Sequence, residues 1–137
     1  LGRTGERHSQ DHAAERQYTP NPDHKFVSDI VAHECDATNY VGGYGGAGRK
    51  TISGKTIVED AANNRATWDA TDPSDWATLG GTTNNTLGKV ALIEETGGSD
   101  ATARVLAVLE FTGGARNTNG GDFGVSFNAL GIVNFNC

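Results

Sequence analysis

Residues Gly43-Tyr44-Gly45-Gly46-Ala47-Gly48 carry the spacing of a dinucleotide-binding glycine motif, and Arg49-Lys50-Thr51 nearly completes a phosphate loop. In both motifs a strand leads into the glycines and a helix leaves them, because the free N–H groups at the helix N-terminus hold the anion. Here the chain continues Thr51-Ile52-Ser53-Gly54-Lys55-Thr56-Ile57-Val58, which is strand-like and broken by glycine. Arg49 also stands where a phosphate loop carries lysine. The segment therefore reads as a flexible or close-packed glycine loop, and no cofactor is expected.

Other groups offer ligand or catalytic chemistry without the spacing that it needs. His33-Glu34-Cys35-Asp36 contains zinc-ligand types, and His8 and His12 lie four apart as a helical pair would. A zinc site needs three or four convergent ligands, and no second histidine follows His33 at a useful distance. Asp69, Asp72 and Asp75 lack the alternating ligands and central glycine of a hand-type calcium loop, so Asp72-Pro73-Ser74-Asp75 reads as a turn. No metal is expected. There is no Gly-x-Ser-x-Gly elbow, and Asp122-Phe123-Gly124 has no accompanying kinase motifs. Glu94 and Glu95 would face opposite sides of a strand and could not share a proton. With no nucleophile, base and orienter in one constellation, no catalytic residue and no enzyme is expected. Trp68 and Trp76 read as packing aromatics. Tyr40 and Tyr44 read as loop anchors, with partner contact as a second role, since tyrosine is enriched at interfaces.

The elements that must position these residues follow from length and composition. The 137 residues amount to one domain with a short appendage. Apolar residues are 36% and glycines number 19, so much of the chain is loops and turns. The net charge of -6 disfavours a nucleic-acid partner, which would call for a basic stripe. Two cysteines, Cys35 and Cys137, build neither a disulfide scaffold nor a four-cysteine zinc site. No run is long and apolar enough to span a bilayer and no secretory leader is visible, so no membrane partner is expected.

Residues 1–22 read as a polar N-terminal arm that ends in Tyr18-Thr19-Pro20-Asn21-Pro22, where each proline biases its predecessor away from helix. Residues 23–137 then form the expected domain. Asp23 is a plausible N-cap for one short helix through Phe26, Val27 and Ile30. Beyond Gly42 the periodicity is that of strands. These are expected near Lys50–Ile52, Thr56–Asp60, Arg65–Asp69, Trp76–Leu79, Lys89–Glu95, Arg104–Phe111, Phe123–Phe127 and Gly131–Phe135. About eight short strands with turn chemistry between them predict an all-β fold, an antiparallel β-sandwich or jelly-roll-like barrel.

The ordered series Tyr18-Thr-Pro-Asn21, His33-Glu34, Tyr40 to Gly48, Gly54-Lys-Thr-Ile-Val-Glu-Asp60, Asn64-Arg-Ala-Thr-Trp-Asp69 and Trp76 continues through four further stretches. These are Val90-Ala-Leu-Ile-Glu-Glu95, Leu106-Ala-Val-Leu-Glu-Phe111, Asn119-Gly-Gly-Asp-Phe123 and Ala129-Leu-Gly-Ile132. Over Tyr18 to Phe135 the series resembles a family of small tailed-bacteriophage virion proteins encoded among the head genes, the minor structural or decoration proteins. The resemblance implies a β-rich, non-enzymatic virion protein, made in the host bacterial cytoplasm and carried on the head surface as a capsid decoration or cement protein. A neck, tail or fibre-base protein is the second reading. A virion-surface carbohydrate-binding module, with Trp76, Tyr40 or Tyr44 as stacking platforms, is the third. Its partners would be the major capsid protein or other virion proteins, and itself as a homo-oligomer, a trimer above all, since closed symmetric assemblies dominate. Tyr18, Pro20, Tyr40, Tyr44 and Arg49 are the candidate contact residues.

The chain has no methionine and opens on Leu1, which reads as a processed or truncated start. The family usually has an apolar, strand-like segment directly before its Tyr-Thr-Pro. Read one base later, degenerate codons for Glu6 to Gln17 permit Asn-Ala-Ile-His-Lys-Ile-Met-Leu-Leu-Ser-Asp-Ser, a segment of that kind. On this expectation Leu1 to Gln17 is a frame-shifted reading, and the domain gains an apolar first strand. Intact mass and N-terminal peptides of the natural protein are expected to differ from Leu1–Gln17 as written; peptides that match those residues would overturn the expectation.

Overall fold

β-branched residues in short runs, separated by glycine and asparagine, produce strands at most of the expected places. The computed structural model describes residues 18–136. The polar arm up to Gln17, with its His8 and His12, lies outside the described residues, as does Cys137. Seven strands are described: β1 Thr56–Asp60, β2 Arg65–Asp69, β3 Thr86–Leu87, β4 Lys89–Glu94, β5 Arg104–Glu110, β6 Arg116–Asn117 and β7 Val133–Asn136. They pair antiparallel in three separate sheets, β1-β2-β7, β3-β6 and β4-β5. The all-β, antiparallel expectation therefore holds, and none of the three sheets closes on itself.

The expected helix does not form. Val27–Asp29 and Val31–His33 are two single 3-10 turns. The reason is tertiary: Val27 N–H donates to Ala103 O and Ser28 N–H to Asp100 O, both at 2.9 Å, so the run is tied to the chain leading into β5. β-Branched Val27, Ile30 and Val31 offer little helix propensity to oppose that tie. Asp23 is not the cap either. Asp29 Oδ2 accepts from the N–H groups of Lys25 at 3.1 Å and Phe26 at 3.0 Å.

Three expected strands are reduced. Lys50–Ile52 joins no ladder, and Trp76 and Phe123 form one isolated antiparallel bridge in place of two strands. Beyond that bridge Thr78 takes a positive φ of 48°, which ends the extended run. Phe127 N–H goes to Asp72 Oδ1 at 2.7 Å and not to a neighbouring strand. Phe123, Val125 and Phe127 still alternate half-buried with exposed neighbours, so the period of two survives without the ladder. The two-residue strands β3 and β6 are too short to show a period in the sequence.

The chain divides into two compact units, one within Leu1–Arg49 and Ala77–Gly121, the other Lys50–Trp76 and Asp122–Cys137. Among the described residues the first unit holds the buried apolar side chains Tyr18, Val27, Ala37, Leu79, Leu92 and Ala103. Val105, Ala107, Leu109 and Phe111 turn one half-buried face of β5 and its continuation inward, while Arg104, Leu106 and Glu110 stay exposed. Between Leu92 and Ile93 the register slips, leaving Leu106 without a partner on β4, a bulge that bends the ribbon. Buried Asn85 and Thr118 satisfy one another: Asn85 N–H donates to Thr118 Oγ1 and Thr118 N–H to Asn85 O, both at 2.9 Å.

The second unit is built around β1-β2-β7. Rows Ile57–Trp68–Val133 and Glu59–Ala66–Phe135 share one face of this sheet. The other face carries exposed Val58 but is otherwise polar, with Thr67 Oγ1 donating to Asn134 Oδ1 at 2.6 Å and Arg65 paired to Asp60 at 3.1 Å. Lys50 Nζ lies 5.6 Å from the centre of the Trp76 ring. Among the described residues no side chain of this unit is buried.

The uneven core gives a direct expectation. Leu79→Ala empties the largest fully buried side chain and should cost about 3 kcal/mol. Ile57→Ala, at a position 74% exposed, should change stability by less than about 0.5 kcal/mol. Urea unfolding of both variants checks the contrast.

Candidate functional site

The glycine loop closes on itself before it meets anything else. Gly46 N–H donates to Gly43 O and Gly48 N–H to Val41 O, each at 2.9 Å, and Arg49 N–H donates to Gly46 O at 3.0 Å. Gly43 takes a φ of 81°, a conformation that L side chains rarely adopt. At Gly48 a Cβ would sit 2.6 Å from the Tyr40 ring, so only glycine lets the loop lie on that aromatic face. The loop's own geometry therefore calls for glycine at both positions.

The chain then delivers Arg49 into a group of three carboxylates. Arg49 Nε and Nη2 donate side by side to Glu34 Oε1 and Oε2, both at 2.8 Å. Nη1 donates to Glu95 Oε1 at 2.7 Å and Asp100 Oδ1 at 2.6 Å, and Nη2 also reaches Asp100 Oδ2 at 3.1 Å. All five guanidinium donors are thereby used. The Arg49 side chain is 9% exposed, and its three partners lie between 18% and 26%.

One cation faces three anions, and the excess negative charge needs other donors. The glycine loop supplies them: Gly43 N–H donates to Glu34 Oε2 at 3.2 Å, and Gly45 N–H reaches both Glu95 oxygens at 3.3 Å. Tyr40 OH donates to Glu34 Oε1 at 3.0 Å. Backbone amides aimed at an anion are the physical basis of a phosphate loop. Here the anions are the chain's own carboxylates.

Electrostatics follow the geometry. Burial opposes ionisation of Glu34, yet the Arg49 guanidinium, the Gly43 amide and the Tyr40 hydroxyl together hold its carboxyl below the ordinary value. Burial and the neighbouring Glu34 charge push the Tyr40 hydroxyl far up. Hydrogen bonding to Glu34 first, and to Asp100 and Glu95 as well, raises Arg49 further, against the burial that opposes its charge. A general acid or base works best when it titrates near the operating pH. Glu34, Tyr40 and Arg49 are all driven away from neutrality, and the bonds to Gly43 and Gly45 hold the glycine loop against the carboxylates.

Each expected contact residue can now be placed. Tyr18 is a core residue: its OH lies 2.9 Å from His24 Nδ1 and accepts from Asn21 N–H at 3.2 Å, and its ring lies 5.3 Å from that of His33. Pro20 is exposed. Tyr40 is half-buried against Gly48, while Tyr44 is exposed and its OH accepts from Gly98 N–H at 3.2 Å. Arg49 spends its whole guanidinium inside the first unit. Tyr40 and Arg49 thus come together around Glu34, and Tyr44 fastens the same loop to the Gly97-Gly98 turn.

The ligand types at 33–36 diverge. Glu34 goes to Arg49, and Asp36 Oδ1 accepts from Asn85 Nδ2 at 2.8 Å. Asp72 accepts from Phe127 N–H, whereas Asp69 turns back to Ala70 N–H at 2.9 Å. Among the described residues no group of three or more His, Cys, Asp or Glu is arranged to hold a metal ion. No helix among them is long and apolar enough to cross a membrane. The sequence alone pairs Arg49 with none of Glu34, Glu95 and Asp100. A lone arginine closing a glycine loop in an acidic chain was a signal that carboxylates would meet it, but not which ones. No protein-family model matches the chain, and neither a curated protein nor a solved structure does.

Removing Arg49 leaves three part-buried carboxylates facing one another. Arg49→Ala should cost about 3 kcal/mol at neutral pH, as breaking one side of a buried ion pair does. The folded Glu34 titrates below its ordinary value of 4.5, so its contribution is present above that value and is lost as pH falls through the folded value. The gap between wild type and Arg49→Ala should therefore narrow in acid, as measured by urea unfolding across the pH range.

Proposed function

We propose that this chain is a non-enzymatic structural protein of a tailed-bacteriophage virion, a capsid decoration or cement protein carried in many copies on the head lattice. The ordered residue series from Tyr18 to Phe135 supports the family reading. The observation that carries the assembly role is the second unit, built on a three-stranded sheet, with no buried side chain among the described residues and with Ile57 and Phe135 exposed on one face of that sheet. Apolar surface left open in this way marks a protein interaction site. The clamped loop adds to it. Val41 and Tyr44 are exposed on a loop held by a part-buried ionic frame, so a partner meets a surface already ordered and less entropy is lost on binding.

The same reading includes a sandwich or jelly-roll-like arrangement of the antiparallel sheets. It also includes self-association into a closed oligomer, a trimer above all, on the major capsid protein. Many individually weak contacts on one lattice act through effective concentration. Tyr44, Val41 and Pro20 are the exposed candidates for lattice contact, whereas Tyr18, Tyr40 and Arg49 act by holding them.

Cryo-electron microscopy of purified particles tests the proposal. Density for this fold repeated over the head surface is the expected result. Density confined to one ring at the neck or tail would move the assignment there, and absence of the chain from purified particles would overturn it.

A further inference from the structure

We infer that β1 is a self-pairing edge, joining a second copy of this chain antiparallel about a two-fold axis through Ile57. The inference rests on the second unit alone and stands apart from the virion reading.

In the sheet β1-β2-β7, β2 is central and β1 has β2 as its one sheet neighbour among the described residues. An edge of this kind presents unpaired N–H and C=O groups to another strand. Residues Thr56 to Glu59 are exposed throughout, so the edge is accessible from both faces. Proteins usually protect such an edge with charge, and Glu59 of β1 and Lys55, the residue just before the strand, are placed symmetrically about Ile57. Against an unrelated strand these charges repel or remain unmatched. Against a second copy they match.

A two-fold axis perpendicular to the sheet keeps like faces together, so residue pairs sum to an even number. About Ile57, Lys55 lies opposite Glu59 of the other copy, Ile57 opposite Ile57, and Glu59 opposite Lys55. Directly opposed unlike charges are favourable and occur twice by symmetry. Shifting the axis to Val58 places Glu59 opposite Ile57 and Asp60 opposite Thr56. Shifting it to Thr56 places Lys55 opposite Ile57. Charge therefore selects one register, which a strand exposed on both faces would otherwise specify poorly.

The apolar rows add to the match. Ile57, Trp68 and Val133 share a face, with Ala66 and Phe135 in the adjoining row. Pairing at Ile57 carries that face unbroken across six strands and covers a residue that is 74% exposed. Lys55 Nζ donates to Ile52 O at 2.9 Å, one of three N–H groups, leaving donors for the carboxylate opposite. The ladder about Ile57 takes in Lys55 and the first four residues of β1 and is smaller than a standard interface, so the pairing is weak in dilute solution and forms at high local concentration.

Sedimentation velocity of the full chain over a wide concentration range tests this. A monomer–dimer equilibrium is expected, weakened about tenfold by Lys55→Glu, which opposes like charges twice. It should be restored by Lys55→Glu combined with Glu59→Lys. In a Cys35→Ser, Cys137→Ser background, Ile57→Cys should cross-link on oxidation far faster than Val58→Cys, because the axis places residue 57 opposite itself. No self-association at any concentration, association indifferent to the charge swap, or faster cross-linking through position 58 would each overturn the inference. Association unaffected at β1 but lost on Phe135→Asp would assign the contact to the β7 edge instead.

Discussion

The first unit depends on one guanidinium. Arg49 ends the glycine loop and spends all five N–H groups on Glu34, Glu95 and Asp100, residues that lie 15, 46 and 51 positions away. Through them it ties the loop to the segment after the 3-10 turns, to the end of β4 and to the turn before β5. With few buried apolar side chains, hydrophobic burial leaves much of this unit's loop structure unassigned. A bidentate, fully used arginine supplies directionality that burial lacks. Lysine in its place would keep the charge and lose the fork.

The glycines and the ion cluster are consequences of one another. Three carboxylates around one cation leave excess negative charge, and the amides of Gly43 and Gly45 with the Tyr40 hydroxyl absorb part of it. Those amides can point inward because the loop turns through a positive φ at Gly43 and rests on the Tyr40 ring at Gly48. An apparent anion-binding motif is then an internal one. Stabilisation by paired charge also confers pH sensitivity that an apolar core would not.

The second unit follows a different rule. It has strand pairing, a largely polar face closed by Thr67–Asn134 and Arg65–Asp60, and an apolar face left open at Ile57 and Phe135. A chain with 36% apolar residues concentrates its buried apolar side chains, among the described residues, in the first unit and leaves the sheet of the second exposed.

The sequence by itself determined the all-β character and the strands Thr56–Asp60 and Arg65–Asp69 to the residue, because alternation and turn residues are local properties. The long strands β4 and β5 were legible to within a residue for the same reason. It also showed that the glycine loop lacks the helix a nucleotide needs. Tertiary structure alone decided that Phe26 to Glu34 forms two short turns, because the amides of Val27 and Ser28 are taken by Ala103 and Asp100. It decided too that Trp76 and Phe123 meet in a single bridge, and that Tyr18 lies in the core. Above all it chose the partners of Arg49. A residue's charge is written in the chain, but the geometry that brings three distant carboxylates within 3.1 Å of it exists only once the chain has folded.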